Sequence, residues 1–314
     1  MIQESTISIL IPTYNNGNTI KNALESVLKT DVLEIIISDD NSIDNTIDII
    51  KQYNDSRIIL FENKVRLGLW KNHQFLLKKA KGKWIKFLQA DDYLANGSLK
   101  KFCNVNENNV SIISSPSLYI NLENNLSFIN VVINQPPKYF ESKKYLKRIK
   151  IFGNELSTPS NTLYFMEHIP LDNKFWRNDL SCDFLINILL ADKGKIVFIE
   201  SGNIIRGIHA QQDTFKQGSL NFITRKAKTL LVLKENSSKL IKSTIHVYFF
   251  IEIIASVHEY IKKRKNFSKR EKRYLKRRIW QHFININYVY ITLNLVPIIM
   301  GIFRKHFCSK KYKI

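Results

Sequence analysis

The sequence predicts an α/β protein built on a doubly wound, mostly parallel sheet. Three observations carry the prediction. Short apolar, β-branched runs recur through the first hundred residues. Segments of helical period separate them, which implies βαβ units and a sheet covered on both faces. The 314 residues are 44% hydrophobic, enough for a substantial core.

The elements follow in order. TISILIP (6–12) is a short strand stopped by a proline. NTIKNALESVLKT (18–30) places Ile20, Ala23, Leu24, Val27 and Leu28 on one helical face, with Asn18 or Thr19 as its cap. VLEIIISDD (32–40) is a second buried strand ending in two carboxylates. NTIDIIKQY (45–53) is a helix and RIILFEN (57–63) a third strand. LWKNHQFLLKKAKG (69–82) is a helix ended by Gly82, and WIKFLQ (84–89) is strand four. Ligands of such sheets sit beyond the carboxyl ends of the strands, where IPTYN, SDDNS and QADD all fall. After about Asn106 the pattern loosens. Strands are expected at 111–120, 128–133 and 195–201, with a helix over 184–194 and mostly helical signals from Leu220 onward.

Charge is unevenly distributed. The net charge is +21, and residues 262–278 alone hold eleven Lys or Arg against the single acid Glu271. That block suits an anionic surface, nucleic acid or membrane lipid. No helix-turn-helix, zinc or RNA-binding signature accompanies it, so nucleic acid is not expected. The apolar segment 245–261 precedes the block, and 286–303 follows as eighteen uncharged residues containing Asn287, Asn294 and Pro297. This tail is expected to be an interfacial or partly embedded amphipathic anchor; the competing readings are a transmembrane helix over 286–303 and a soluble helical cap. Cys103, Cys182 and Cys308 have no metal-ligand spacing and read as free thiols in a reducing compartment. The N-terminus lacks the pattern of a secretion signal.

Several polar groups have two readings. Asp91 and Asp92 are adjacent carboxylates just past a strand, either a solvated turn with Asp92 capping a following helix, or a cation site. Tyr14 is a turn aromatic or a stacking surface for a base. Asp183 is a helix N-cap or a general base, with Asp179 as a nearby rival. Arg206 and His209 belong to a polar surface segment or to a loop closing over a diphosphate. Lys71 needs no role beyond solvation.

In combination, IPTYNNGNTIKNALESVL, ISDDNSIDNT, the Asn63–Gly68–Asn72 spacing and KGKWIKFLQADDYL resemble glycosyltransferase family 2, in order and over about a hundred residues. FGNELSTPSNTLYF (152–165), LSCDFLINILLADKGKIVFI (180–199) and IIRGIHAQQDT (204–214) extend the resemblance to about residue 218. It implies the GT-A fold, with a Rossmann-like nucleotide-binding half (1–105), an acceptor half (106–218) and a basic helical extension (219–314). It further implies an inverting transfer from a nucleotide-diphosphate sugar, UDP-linked, to a glycan acceptor on a lipid carrier at the cytoplasmic membrane face. Nucleotide contacts would come from Pro12, Tyr14, Asp40, Lys71, Asp91, Arg206 and His209. Asp92 with Asp91 would hold Mn²⁺ or Mg²⁺, and Asp183 would be the base. The chain departs from the family pattern at Gln89, where many relatives carry a third acid, and at Cys182, where Glu is frequent. A soluble transferase for protein or small-molecule acceptors, or a non-catalytic basic binding module, are the competing functions.

Overall fold

The computed structural model of the chain describes residues 1–106, 108–121, 127–130, 139–141, 144–146, 156, 158–199 and 204–208, together with 225, 228–229, 232–233, 235 and 312–313. The basic block, the apolar runs around it, His209 and Cys308 lie outside the described residues. No helix among the described residues is long and apolar enough to cross a membrane.

The first hundred residues form β1 (Ile7–Thr13), α1 (Ile20–Leu28), β2 (Glu34–Asp39), α2 (Thr46–Ile50), β3 (Ile58–Glu62), α3 (Leu69–Lys79) and β4 (Trp84–Phe87). The expected elements are all present, some shorter than their sequence signal. Beyond them come β5 (Asp92–Leu94), α4 (Ser98–Cys103), β6 (Val110–Ser114), β7 (Ser117–Asn121), β8 (Ser127–Asn130), β9 (Tyr139–Phe140), β10 (Thr162–Phe165), α5 (Cys182–Ala191), β11 (Lys195–Phe198) and β12 (Ile204–Ile208).

An eight-stranded sheet has the order β3-β2-β1-β4-β10-β6-β11-β9. It is mixed: β10 runs antiparallel between β4 and β6, and β9 closes the far edge antiparallel to β11. The strands of the first half are mutually parallel, as the helical crossovers require. Burial alternates with the pleat. Ile9, Ile11, Ile35 and Ile37 enter one core with α1 and α4, while Leu10, Ile36 and Ile85 enter the other with α3 and α5. Both faces are covered, which is why these strands are continuous apolar runs.

A second sheet, with Tyr312–Lys313 as an edge, runs from there through β8, β7 and β12 to β5. It brings β5 and β12 side by side with Arg206 opposite Asp92. Asp92 therefore opens a strand, and the helix that follows begins only at Ser98; the capping reading of Asp92 is corrected by this pairing. Cys103 and Cys182 are free and buried.

Candidate active site

The carboxyl ends of β1, β2 and β4 lie side by side, as the βαβ pattern predicts, and each carries its polar cluster. The turns after β1 and β2 are tied together. Asn15 N–H donates to Ser42 Oγ (2.8 Å), Ile43 N–H to Asn15 Oδ1 (2.9 Å) and Gly17 N–H to Asp44 Oδ2 (2.9 Å). Asp39 holds its own turn, accepting from Ser42 N (2.8 Å) and Ser42 Oγ (2.5 Å). Pro12 is buried inside β1 and has no N–H to donate.

Asp40 has a structural task in this arrangement. Its carboxylate accepts the N–H groups of Leu67 (2.6 Å) and Gly68 (2.8 Å), with Asn63 Nδ2 at 3.4 Å. It thus shapes the loop leading into α3. Gly68 sits there at φ +85°, and a Cβ would fall 2.3 Å from Asn178 Nδ2. Asn178 clamps the same loop, donating to Leu67 O (2.7 Å) and accepting from Trp70 N (2.9 Å). Nothing in the sequence singles out Asn178, because its partners are more than a hundred positions away. Tyr14 is half-buried with the Arg66 guanidinium 3.8 Å over its ring, a second contact with no sequence signal. Lys71 is exposed on α3.

The acid pair is asymmetric. Asp91 is half-buried, whereas Asp92 is 1% exposed and neither of its oxygens has a well-formed hydrogen bond. Burial, and then the charge of Asp91, push the Asp92 carboxyl up to about 7. Arg206 Nε, 3.7 Å from Asp92 Oδ2, together with the Ser160 hydroxyl and Lys86, opposes that rise without overcoming it. Arg206 is held in β12, so the expectation of a mobile loop cation is corrected: strand pairing fixes it beside Asp92. Lys86 is fully buried on β4, where its ammonium donates to Ser160 O and lies 4.7 Å over Phe102. Desolvation lowers it to about 7. Sequence reading placed Lys86 in an apolar strand and missed it.

The acid pair is chemically suited to a divalent cation. Hard oxygen ligands, one of them a buried carboxylate short of hydrogen bonds, are the donor set such ions take. Among the described residues no cluster of three or more His, Cys, Asp or Glu surrounds it, so further ligands would come from substrate phosphate and water.

Asp183 lies in the first turn of α5, whose N-cap is Ser181, so it is not the cap itself. It borders a small cavity lined also by Trp70, His73, Phe87, Tyr164 and Trp176. Its rival Asp179 accepts from Arg177 (2.8 and 2.9 Å) and from Lys228 (2.8 Å). Burial would raise the Asp179 carboxyl, but these bonds outweigh it and hold it below the usual range. His73, not anticipated, is fully buried in α3 and bonded to Gln89.

The α/β architecture with its large doubly wound sheet is the GT-A fold of glycosyltransferases. The chain belongs to Glycosyl transferase family 2, whose sequence profile matches residues 8–167. It is 36% identical over 134 residues to the UDP-Glc:alpha-D-GlcNAc-diphosphoundecaprenol beta-1,3-glucosyltransferase WfaP of Escherichia coli, covering 42% of this chain and 52% of the relative. The chain thus spans about half the length of such curated relatives. In fold it is similar to residues 1–349 of S. aureus TarS in complex with UDP-GlcNAc (TM-score 0.60, 17% identity, 79% of this chain and 72% of that one). It is also similar to the mannosyltransferase PcManGT of Pyrobaculum calidifontis in complex with GDP-Man and Mn²⁺ (TM-score 0.56, 12% identity, 97% and 88%).

Proposed function

We propose that the protein is an inverting, metal-dependent glycosyltransferase. It moves a sugar from a UDP-linked donor to a hydroxyl of a lipid-linked glycan acceptor in surface polysaccharide assembly. The observation that carries the reading is the Asp91–Asp92 pair at the carboxyl edge of the sheet, with the buried Asp92 carboxylate short of hydrogen bonds. Family membership and the named activity of the Escherichia coli relative support the donor and acceptor classes.

In this reading Tyr14 packs against the base, and the turn around Pro12 and Asp40 receives the nucleoside. Lys71, Arg206 and His209 would serve as contacts to the diphosphate. Asp91 and Asp92 hold Mn²⁺ or Mg²⁺, which when bound offsets the negative charge of the departing diphosphate. Asp183 takes the proton of the acceptor hydroxyl as its oxygen bonds to the anomeric carbon. The bond from that carbon to the phosphate oxygen breaks in the same displacement, and the nucleoside diphosphate leaves with the electron pair. Attack from the face opposite the leaving group inverts the anomeric centre. The basic C-terminal region then keeps the enzyme at the cytoplasmic membrane face, near its acceptor.

Calorimetric titration with UDP, GDP and dTDP, each with and without Mn²⁺, tests the reading. Manganese-dependent binding of UDP, abolished by Asp92→Ala, is expected. Binding of none of the three would overturn it.

A further inference from the structure

Gln89 stands two residues past the end of β4 and two before Asp91, and its side chain is bonded to a fully buried histidine. His73 Nδ1 lies 2.7 Å from Leu69 O, a group that can only accept, so Nδ1 carries a proton. Desolvation holds the ring far below its ordinary range, at about 4, and it is neutral near pH 7. A neutral ring protonated at Nδ1 has a bare lone pair at Nε2. The group 2.8 Å from Nε2 must therefore be the Gln89 amide N–H, donating. This fixes the amide: its nitrogen faces His73, and the carbonyl oxygen Oε1 is turned away. Among the described residues no hydrogen bond to Oε1 is made, and Gln89 is only partly buried.

Both ends of this linkage are rigid. The His73 ring lies 4.9 Å from Trp70 and 4.7 Å from Phe87, so it cannot rotate without repacking two large side chains. The Gln89 main chain donates to Ser160 Oγ (3.1 Å), and its carbonyl accepts from Asp92 N (2.9 Å). His73 also shares its cavity with Asp183.

We propose that His73 is a positioning residue acting through Gln89, holding the amide so that Oε1 accepts a hydroxyl of the donor sugar. The inference rests on the reading of the protein as a nucleotide-sugar transferase. A carboxylate at position 89 would set an acceptor against the lone pair of Nε2, and the contact would form only if the buried ring took up a proton there as an ion pair, whereas the amide bonds to the neutral ring. The neutral histidine thereby suits an amide at position 89. The site keeps an oxygen acceptor there while adding no third negative charge to a pocket that receives a diphosphate.

The test compares the binding of UDP with that of UDP-glucose and UDP-N-acetylglucosamine to the full chain, with Mn²⁺, by calorimetry. In the wild type one of the sugars is expected to tighten binding beyond UDP. Gln89→Met and His73→Phe should each remove about five- to tenfold of that sugar increment, the worth of one hydrogen bond, and leave UDP affinity unchanged. The double variant should lose no more than either single one, because both act through one bond. His73→Gln, whose carbonyl can replace Nε2 as acceptor, should restore the increment. Unchanged ratios in Gln89→Met overturn the inference. So does a wild type that binds both UDP-sugars no tighter than UDP, and either result leaves the transferase reading standing. A wild type that binds no nucleotide overturns both. Gln89 is partly exposed, so Gln89→Met remains informative if His73→Phe does not fold.

Discussion

Asp179 and Asp183 are four positions apart and chemically identical, yet their surroundings separate them. Asp179 is ion-paired to Arg177 and Lys228, which lowers its proton affinity and makes it a poor base. Asp183 borders the aromatic cavity instead. Asp183→Asn should lower the turnover number at least a hundredfold with UDP binding intact, whereas Asp179→Asn should stay within a few-fold of wild type. Turnover assays beside calorimetry separate these outcomes. Asp92 gives a stability prediction. Its folded-state value of about 7 lies above the ordinary aspartate value of 3.8, so folding takes up a proton between those values. The resulting stability is fully present below pH 3.8 and is lost as pH rises through about 7. Without divalent metal, melting temperature should therefore fall across that window, and Asp92→Asn should flatten the fall. An unchanged profile in the variant would assign the dependence to other groups.

At the scale of elements, the loop entering α3 depends on Asp40, Asn178 and Gly68 together. Gly68→Ala forces an L-residue to φ +85° and meets Asn178 at 2.3 Å. It should destabilise the protein by about 1–3 kcal/mol, read from chemical denaturation, and weaken nucleotide binding as the loop shifts. Retained stability together with full binding would show that the loop adapts. The β5–β12 ribbon shows where sequence reading stops short. A three-residue strand beginning at Asp92 has too little periodicity to be seen, and its partner Arg206 is 114 positions later. The adjacent acids were legible as a special pair; that only one of them is buried, against Arg206, was not.

For the whole molecule, the strong positive charge of the C-terminal region predicts association with anionic surfaces. The full chain should sediment with vesicles containing phosphatidylglycerol but not with neutral ones at low salt. Replacing the eleven basic residues of 262–278 by Gln should reduce that binding at least tenfold, and equal sedimentation with both vesicle types would refute an electrostatic anchor. Such binding weakens with ionic strength because the attraction is screened over about 8 Å at physiological salt.

What the sequence by itself determined was the set of local patterns: the βαβ alternation, the two-sided burial of β1 and β2, and the three polar clusters at the strand ends. Those follow from side-chain period and turn chemistry, which act over a few residues. Tertiary structure decided everything that joins distant segments. It reversed β10 within the sheet, put Arg206 against Asp92, and gave Asp40 the amides of Leu67 and Gly68. It also neutralised Asp179 with Lys228 and closed His73 onto Gln89. The shifted proton affinities of Asp92 and Asp179 depend on desolvation and on charges brought close by folding, and neither exists until the chain has packed.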